Sequence, residues 1–287
     1  MKSLVILINT ILILTYTYSQ KSETQIQDNI IYQPKDKEIL EQIFEIYKEE
    51  SDTPLSVLMI KVGTFFKETP YVAHTLEMDK EQLVINLREF DCTTFTENCL
   101  AISRTIKSNE HTFEKFTKEL QKIRYRDGKI KGYVSRLHYF SDWIYNNQKK
   151  KIIESVSEDI SQTPYDNKVN FMSTHPQSYQ QLKNNGELVQ RIAEQEKQIS
   201  NRKAYYLPEN KITEFESRLK DGDIVGITTG IEGLDISHAG IIVRKSGRVH
   251  LLHASSKAEK VLLSDETLEE YLMSSKTVTG IMVARPL

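Results

Sequence analysis

Cysteine is scarce in this chain, with two residues in 287, and Lys149-Lys150-Lys151 is its longest run of positive charge. With 38 Lys+Arg against 40 Asp+Glu, the net charge is -2. No electrostatic footprint for a phosphate backbone exists, which argues against a nucleic-acid partner. Metal-binding spacings are missing as well. There is no His-Glu-x-x-His and no Cys-x-x-Cys, so neither a metal nor a cofactor is expected. No internal repeat and no long linker divides the chain. At 39% hydrophobic content it is long enough to bury a core without disulfide staples. Long apolar runs are limited to Leu4 to Leu14, too short for the roughly 20 residues of a membrane span. Met1-Lys2 before it and the small polar residues Thr15 to Ser19 after it make residues 1–19 a secretory signal peptide, with cleavage expected near Ser19. A retained N-terminal anchor is the alternative. The expected product is a monomer, soluble in the periplasm or outside the cell, without stable membrane insertion.

What is present divides into helices first and strands later. Residues 20–35 are polar, and a single domain is expected over 36–287. Ile39, Leu40, Ile43, Ile46 and Tyr47 fall at helical spacing from Asp36. Asp52-Thr53-Pro54 reads as a cap and first turn of a helix that Gly63 ends. Leu83, Ile85 and Leu87 alternate, and Phe113, Phe116, Leu120 and Ile123 mark another helix. A Gln-, Asn-, Lys- and Glu-rich stretch near 176–203 reads as a surface helical insertion. The last seventy residues hold short β-branched runs, Ile224 to Thr228, His238 to Arg244, Val249 to His253, Lys260 to Leu263 and Val278 to Ala284. Helices followed by an antiparallel sheet predict an α+β fold.

Export makes the two thiols informative. Cys92 and Cys99 fall on one predicted helix, roughly 10.5 Å apart at 1.5 Å per residue. A disulfide needs Cα atoms within about 7 Å, so they should not pair. Asp91 suits the N-cap, which puts Cys92 in the first turn, where unpaired N–H groups and the helix dipole favour a thiolate. Cys99 lies on the apolar stripe as packing. A packed thiol is the alternative for Cys92 too.

The histidines turn the balance. His238 opens one predicted strand and His253 ends the next, with Lys245-Ser246-Gly247 between the two strands. A two- or four-residue loop would set the two rings opposite or diagonal on one face, whereas a three-residue loop would put them on opposite faces. His250 has the other parity and should point away. Each histidine alone could be an ordinary half-buried strand residue. A thiol near one imidazole, itself oriented by a second polar group, is what nucleophilic catalysis by cysteine requires. Cys92 would be the nucleophile, His238 the base and His253 the orienting group. The same three residues could be imagined on zinc, but the spacings above do not support it.

The strings Thr69-Pro70-Tyr71-Val72, Asp91-Cys92-Thr93-Thr94-Phe95, His238-Ala239-Gly240-Ile241 and His253-Ala254-Ser255 resemble those of NlpC/P60 cysteine peptidases. The stretch Arg136-Leu137-His138-Tyr139-Phe140-Ser141-Asp142-Trp143 resembles the DUF1460 branch of that clan. The resemblance implies a papain-like α+β fold with the nucleophile helix packed on an antiparallel sheet. It also implies cleavage of muropeptides at the amide between N-acetylmuramic acid and L-Ala. The familiar Asp-Cys-Ser-Gly of the clan is Asp91-Cys92-Thr93-Thr94 here, which favours the narrower branch over cleavage after γ-D-Glu. Tyr71, Asp91, Arg136 and His138 are the candidate substrate-binding residues. Tyr71 would donate to the oxyanion beside the Cys92 N–H, and Arg136 would pair a peptide carboxylate. A structural tyrosine, and a rim bridge between Arg136 and Asp142, are the corresponding alternatives. For the whole protein, a γ-D-glutamyl-diamino acid endopeptidase and a non-catalytic cell-wall binding module remain open.

Overall fold

The computed structural model describes residues 25–27 and 30–287. The apolar N-terminal run and its cleavage point near Ser19 lie outside the described residues. Ordered structure begins earlier than the polar composition of 20–35 suggests. Ile30–Tyr32 pairs in parallel with Leu83–Val84, and the first helix starts at Pro34 rather than Asp36. The cause is local. Asp36 is the third residue of a capping box whose carboxylate accepts from the Gln33 N–H at 2.7 Å, and it also accepts from the Leu87 N–H and Arg88 Nε. This fully buried carboxylate ties the first helix to the segment just before Asp91.

The second helix runs over Leu55–Phe65 and passes through Gly63 instead of stopping there. A Cβ on Gly63 would lie 2.7 Å from Leu252 Cδ2, so the glycine serves close packing of helix against sheet. The alternation Leu83, Ile85, Leu87 does not mark a half-exposed strand, because every residue from Leu83 to Leu87 is buried.

Eight strands form one antiparallel sheet among the described residues. Its order is Lys260–Leu263, Arg248–Ser255, Ile236–Lys245, Ile224–Thr229, Val278–Pro286, Tyr205–Pro208 and Thr163–Pro164, with Ile153–Ser155 also paired to Val278–Pro286. Strand parity separates two cores. Ile224, Ala239, Ile241, Leu252 and Ala254 face the helices Leu55–Phe65 and Cys92–Lys107, while Val225, Ile242, Val249 and Leu251 face the short helix Leu268–Met273. The α+β expectation holds.

Beneath the first core lies a buried ion pair. Arg124 Nε donates to Glu97 Oε2 at 2.7 Å and its Nη1 to the Val84 carbonyl at 2.7 Å, while Trp143 Nε1 donates to Glu97 Oε1 at 3.2 Å. Removing one partner strands a buried charge. Arg124→Met is expected to lower unfolding free energy by about 3–5 kcal/mol in urea titration, and adding Glu97→Gln should recover much of the loss. A loss below about 1 kcal/mol would contradict this account.

Candidate active site

Asp91 caps the helix Cys92–Lys107. Its Oδ1 accepts from the Thr94 N–H at 2.7 Å and from Thr94 Oγ1 at 2.9 Å, and Thr94 Oγ1 accepts in turn from the Asp91 N–H at 2.9 Å. Its carboxylate therefore orients the Cys92 turn, rather than reaching toward a substrate. Cys92 and Cys99 are both free, as helical spacing requires, with Cys99 buried and Cys92 half-buried.

The sulfur is not the preformed thiolate that the helix N-terminus suggested. Burial pushes the Cys92 thiol up to about 12, with Asp91 adding to the effect, and the Ala239 N–H directed at the sulfur only partly offsets it. Desolvation outweighs the helix dipole here. Ala239 is the next residue after His238, so this contact brings the start of the Ile236–Lys245 strand against the sulfur.

Strand register decides the histidines. Lys245 pairs with Arg248, leaving the two-residue turn Ser246-Gly247 with φ of 52° and 84°. Both are positive, as a type I′ hairpin turn demands. Even-numbered loop length puts His238 and His253 on one face, diagonally related, and they meet: His238 Nε2 lies 2.6 Å from His253 Nδ1 with the rings nearly perpendicular. Gly240 leaves the space, since a Cβ there would stand 3.2 Å from that of His253 and 2.6 Å from Leu251 Cδ1. A bulge at Ser237 breaks the pairing with Ile224–Thr229 immediately before His238, a device that re-aims a side chain. His250 turns away to the Ser264 carbonyl.

Burial lowers His238 to about 3, with His253 contributing, and burial lowers His253 to about 4. Both rings are neutral at ordinary pH. A third ring, which no sequence motif marks, stands beside them. Tyr271, on Leu268–Met273, packs edge-on against His253 at 5.3 Å and lies 6.2 Å from His238. No spacing rule links residue 271 to either histidine, so only the folded sheet reveals it.

Cys92 and His238 line one cavity of about 220 Å³, together with Thr93, His138, Tyr139, Trp143, Tyr179 and Asp235 among others. On its other side His238, with His253 and Tyr271, faces a hydroxyl-rich trough of about 570 Å³. Clefts bounded by Arg202, Lys203 and Tyr205 lie elsewhere and hold neither the sulfur nor an imidazole. Among the described residues, no group of three or more His, Cys, Asp or Glu could hold a metal ion.

The remaining predicted residues divide. Tyr71 is threaded between Glu259 and Phe90 by backbone bonds, and burial with Cys92 and Asp91 nearby pushes its hydroxyl to about 12. It stands close to the sulfur. Arg136 does not line the cavity. It is buried and engaged by Glu77 at 2.9 Å, Glu81 at 3.5 Å and the Leu76 carbonyl, so it is not free for a peptide carboxylate. Nor does it bridge to Asp142, which is held by Arg126 and Arg202. His138 does line the cavity. The insertion near 176–203 is more than a surface helix, since Leu182, Ile192 and Ile199 are buried against Tyr133, Tyr139 and Met172, and Tyr179 reaches the cavity.

A family model described as AmiA-like, N-acetylmuramoyl-L-alanine amidase-like, matches residues 61–281. The chain belongs to this family. It is 41% identical to an N-acetylmuramoyl-L-alanine amidase from Bacteroides uniformis, covering 81% of this chain and 99% of that one with a TM-score of 0.78. A Bacteroides fragilis structure, provisionally described as a xylanase, is 44% identical over 78% of this chain and 99% of the other, with a TM-score of 0.75. A Legionella pneumophila protein carrying the DUF1460 family model shares the fold at 22% identity, covering 87% of this chain and 95% of that one, with a TM-score of 0.67. A search of the curated proteins found no match.

The lowered histidines set a sign for acid stability. Unfolded imidazoles bind protons below about 6.5, whereas the folded ones stay neutral to about 3 and 4. Their contribution is complete above 6.5 and is lost as pH falls through the folded values. Urea midpoints should decline between about pH 7 and pH 4, and His238→Gln should flatten that slope. Equal slopes in the two proteins would mean that the ring is hydrated in the folded state.

Proposed function

We propose that this protein is an exported cysteine hydrolase of the NlpC/P60 clan that cleaves the amide between N-acetylmuramic acid and L-Ala in peptidoglycan fragments. One observation carries the reading: the 2.6 Å contact between His238 and His253, on a strand whose next residue touches the Cys92 sulfur. The named amidase activity of the Bacteroides uniformis relative supports the choice of bond.

The tautomers follow from that contact. For His238 to accept a thiol proton, Nδ1 must carry a lone pair, so Nε2 carries the hydrogen and donates it to His253 Nδ1. His253 thereby performs the orienting role that a carboxylate or amide performs in other triads. With thiol and imidazole both neutral at rest, the proton moves to His238 Nδ1 as the sulfur attacks the lactyl carbonyl carbon. The tetrahedral oxyanion is met by the Cys92 N–H and the Tyr71 hydroxyl. His238 then returns the proton to the L-Ala nitrogen, the C–N bond breaks, and a thioester remains. Water, deprotonated by the same ring, hydrolyses it to the free lactyl carboxylate and restores the thiol.

A glycosidase would need two carboxylates flanking a sugar bond. The cavity beside Cys92 has one, Asp235, whose oxygens are held by Ser141 and the Ile236 N–H.

Incubation with MurNAc-L-Ala-D-iso-Gln and mass analysis of products tests the bond. Release of L-Ala-D-iso-Gln by the wild type and not by Cys92→Ala is expected. Cleavage of a free L-Ala-γ-D-Glu-diamino acid tripeptide alone would point to the endopeptidase, and inertness toward both to a binding module.

His253→Ala should cost about 10²-fold in kcat/KM. His253→Asn, whose carbonyl can accept from His238, should recover most of it; no recovery would refute the orienting role.

A further inference from the structure

The sheet itself gives the His253 ring little support. On one neighbouring strand Gly240, one residue beyond the Ile241–Leu252 pair, lies across from it and has no side chain to offer. On the other, Leu262 pairs with it and borders the same trough. The contact to His238 fixes one corner of the ring, Nδ1, at 2.6 Å. A single hydrogen bond leaves the ring plane free to pivot about that corner, and the trough of about 570 Å³ beside it supplies the room.

Tyr271 occupies that side. Its ring stands 5.3 Å from His253 at 86°, and the His238 ring stands 4.8 Å from His253 at the same angle. Tyr271 and His238 lie 6.2 Å apart, within 31° of parallel, so the three rings form a triangle in which His253 meets two rings perpendicular to its own. Perpendicular contact is a favoured geometry for aromatic pairs. Tyr271 is placed in turn by the helix Leu268–Met273, whose Leu268 and Leu272 are buried in the second core and whose capping box, Thr267 with Glu270, ends one residue before it. Among the described residues the Tyr271 hydroxyl has no hydrogen-bond partner, so the ring makes the contact.

We infer that Tyr271 is a positioning residue for the hydrolysis: its ring holds the His253 plane perpendicular to His238, so that Nδ1 stays in line to accept the Nε2 hydrogen. This rests on the hydrolytic reading above. When His253 pivots away, His238 loses the partner that keeps the hydrogen on Nε2. The ring is then free to carry it on Nδ1, where it cannot take the thiol proton. Such a fault slows the chemical step and leaves substrate binding alone.

Tyr271→Ala should therefore lower kcat about tenfold with KM within about twofold of the wild type. Restoring the ring without the hydroxyl, in Tyr271→Phe, should bring back most of the loss. In a His253→Asn background the alanine change should cost less than about twofold, because no imidazole plane remains to be held. Tyr271→Met, which keeps bulk but no ring, gives the same comparisons should the alanine variant not fold. Equal costs in the two backgrounds, a rise in KM that accounts for the loss, or no recovery in Tyr271→Phe would each overturn the inference. The ring geometry is also readable without turnover. In Cys92→Ala labelled with ¹⁵N-histidine, the His238 Nε2–H resonance, assigned by its change in His253→Asn, should persist with Tyr271→Phe and vanish with Tyr271→Ala. Absent turnover by the wild type with that pattern sinks the hydrolytic reading and sustains this one, while a resonance unchanged in Tyr271→Ala sinks this one regardless of turnover.

Discussion

A two-residue turn governs whether this molecule has an imidazole pair. Ser246 and Gly247 both take left-handed backbone, and the resulting register sets His238 and His253 on one face. A single inserted residue would reverse the parity of one strand relative to the other and separate the rings across the sheet. The hairpin therefore matters more to the site than any contact the histidines make themselves.

Burial is the second governing influence. It raises the sulfur, lowers both rings, and does so against the helix dipole that the sequence pattern brings to mind. Tyr271 packs against His253, and Tyr139 and Tyr179 line the cavity that Cys92 and His238 share. The insertion contributes through Glu196, which is buried and accepts from Tyr139 at 2.7 Å, so a segment that composition describes as polar surface helps build the cavity.

Much of this was legible in the chain itself, for reasons that are local. Asp91 as a cap, the helix over Phe113 to Arg124, the free thiols and the five C-terminal strands all follow from capping chemistry and periodicity within a dozen residues. The imidazole contact was readable as a parity argument conditional on loop length. What could not be read depends on distant partners. Gly63 is a packing residue because Leu252 lies beside it, and Arg136 is engaged because Glu77 and Glu81 fold over it. The protonation state of Cys92 depends on how far the assembled fold desolvates the sulfur, and no segment of sequence states that. Tyr271 belongs to the same class.

The high thiol value has a consequence for durability. Peroxide and disulfides react with the thiolate and scarcely with the thiol. A sulfur that burial holds in the thiol form presents little to such oxidants. The same desolvation that keeps this sulfur protonated would spare it wherever no reducing pool repairs it.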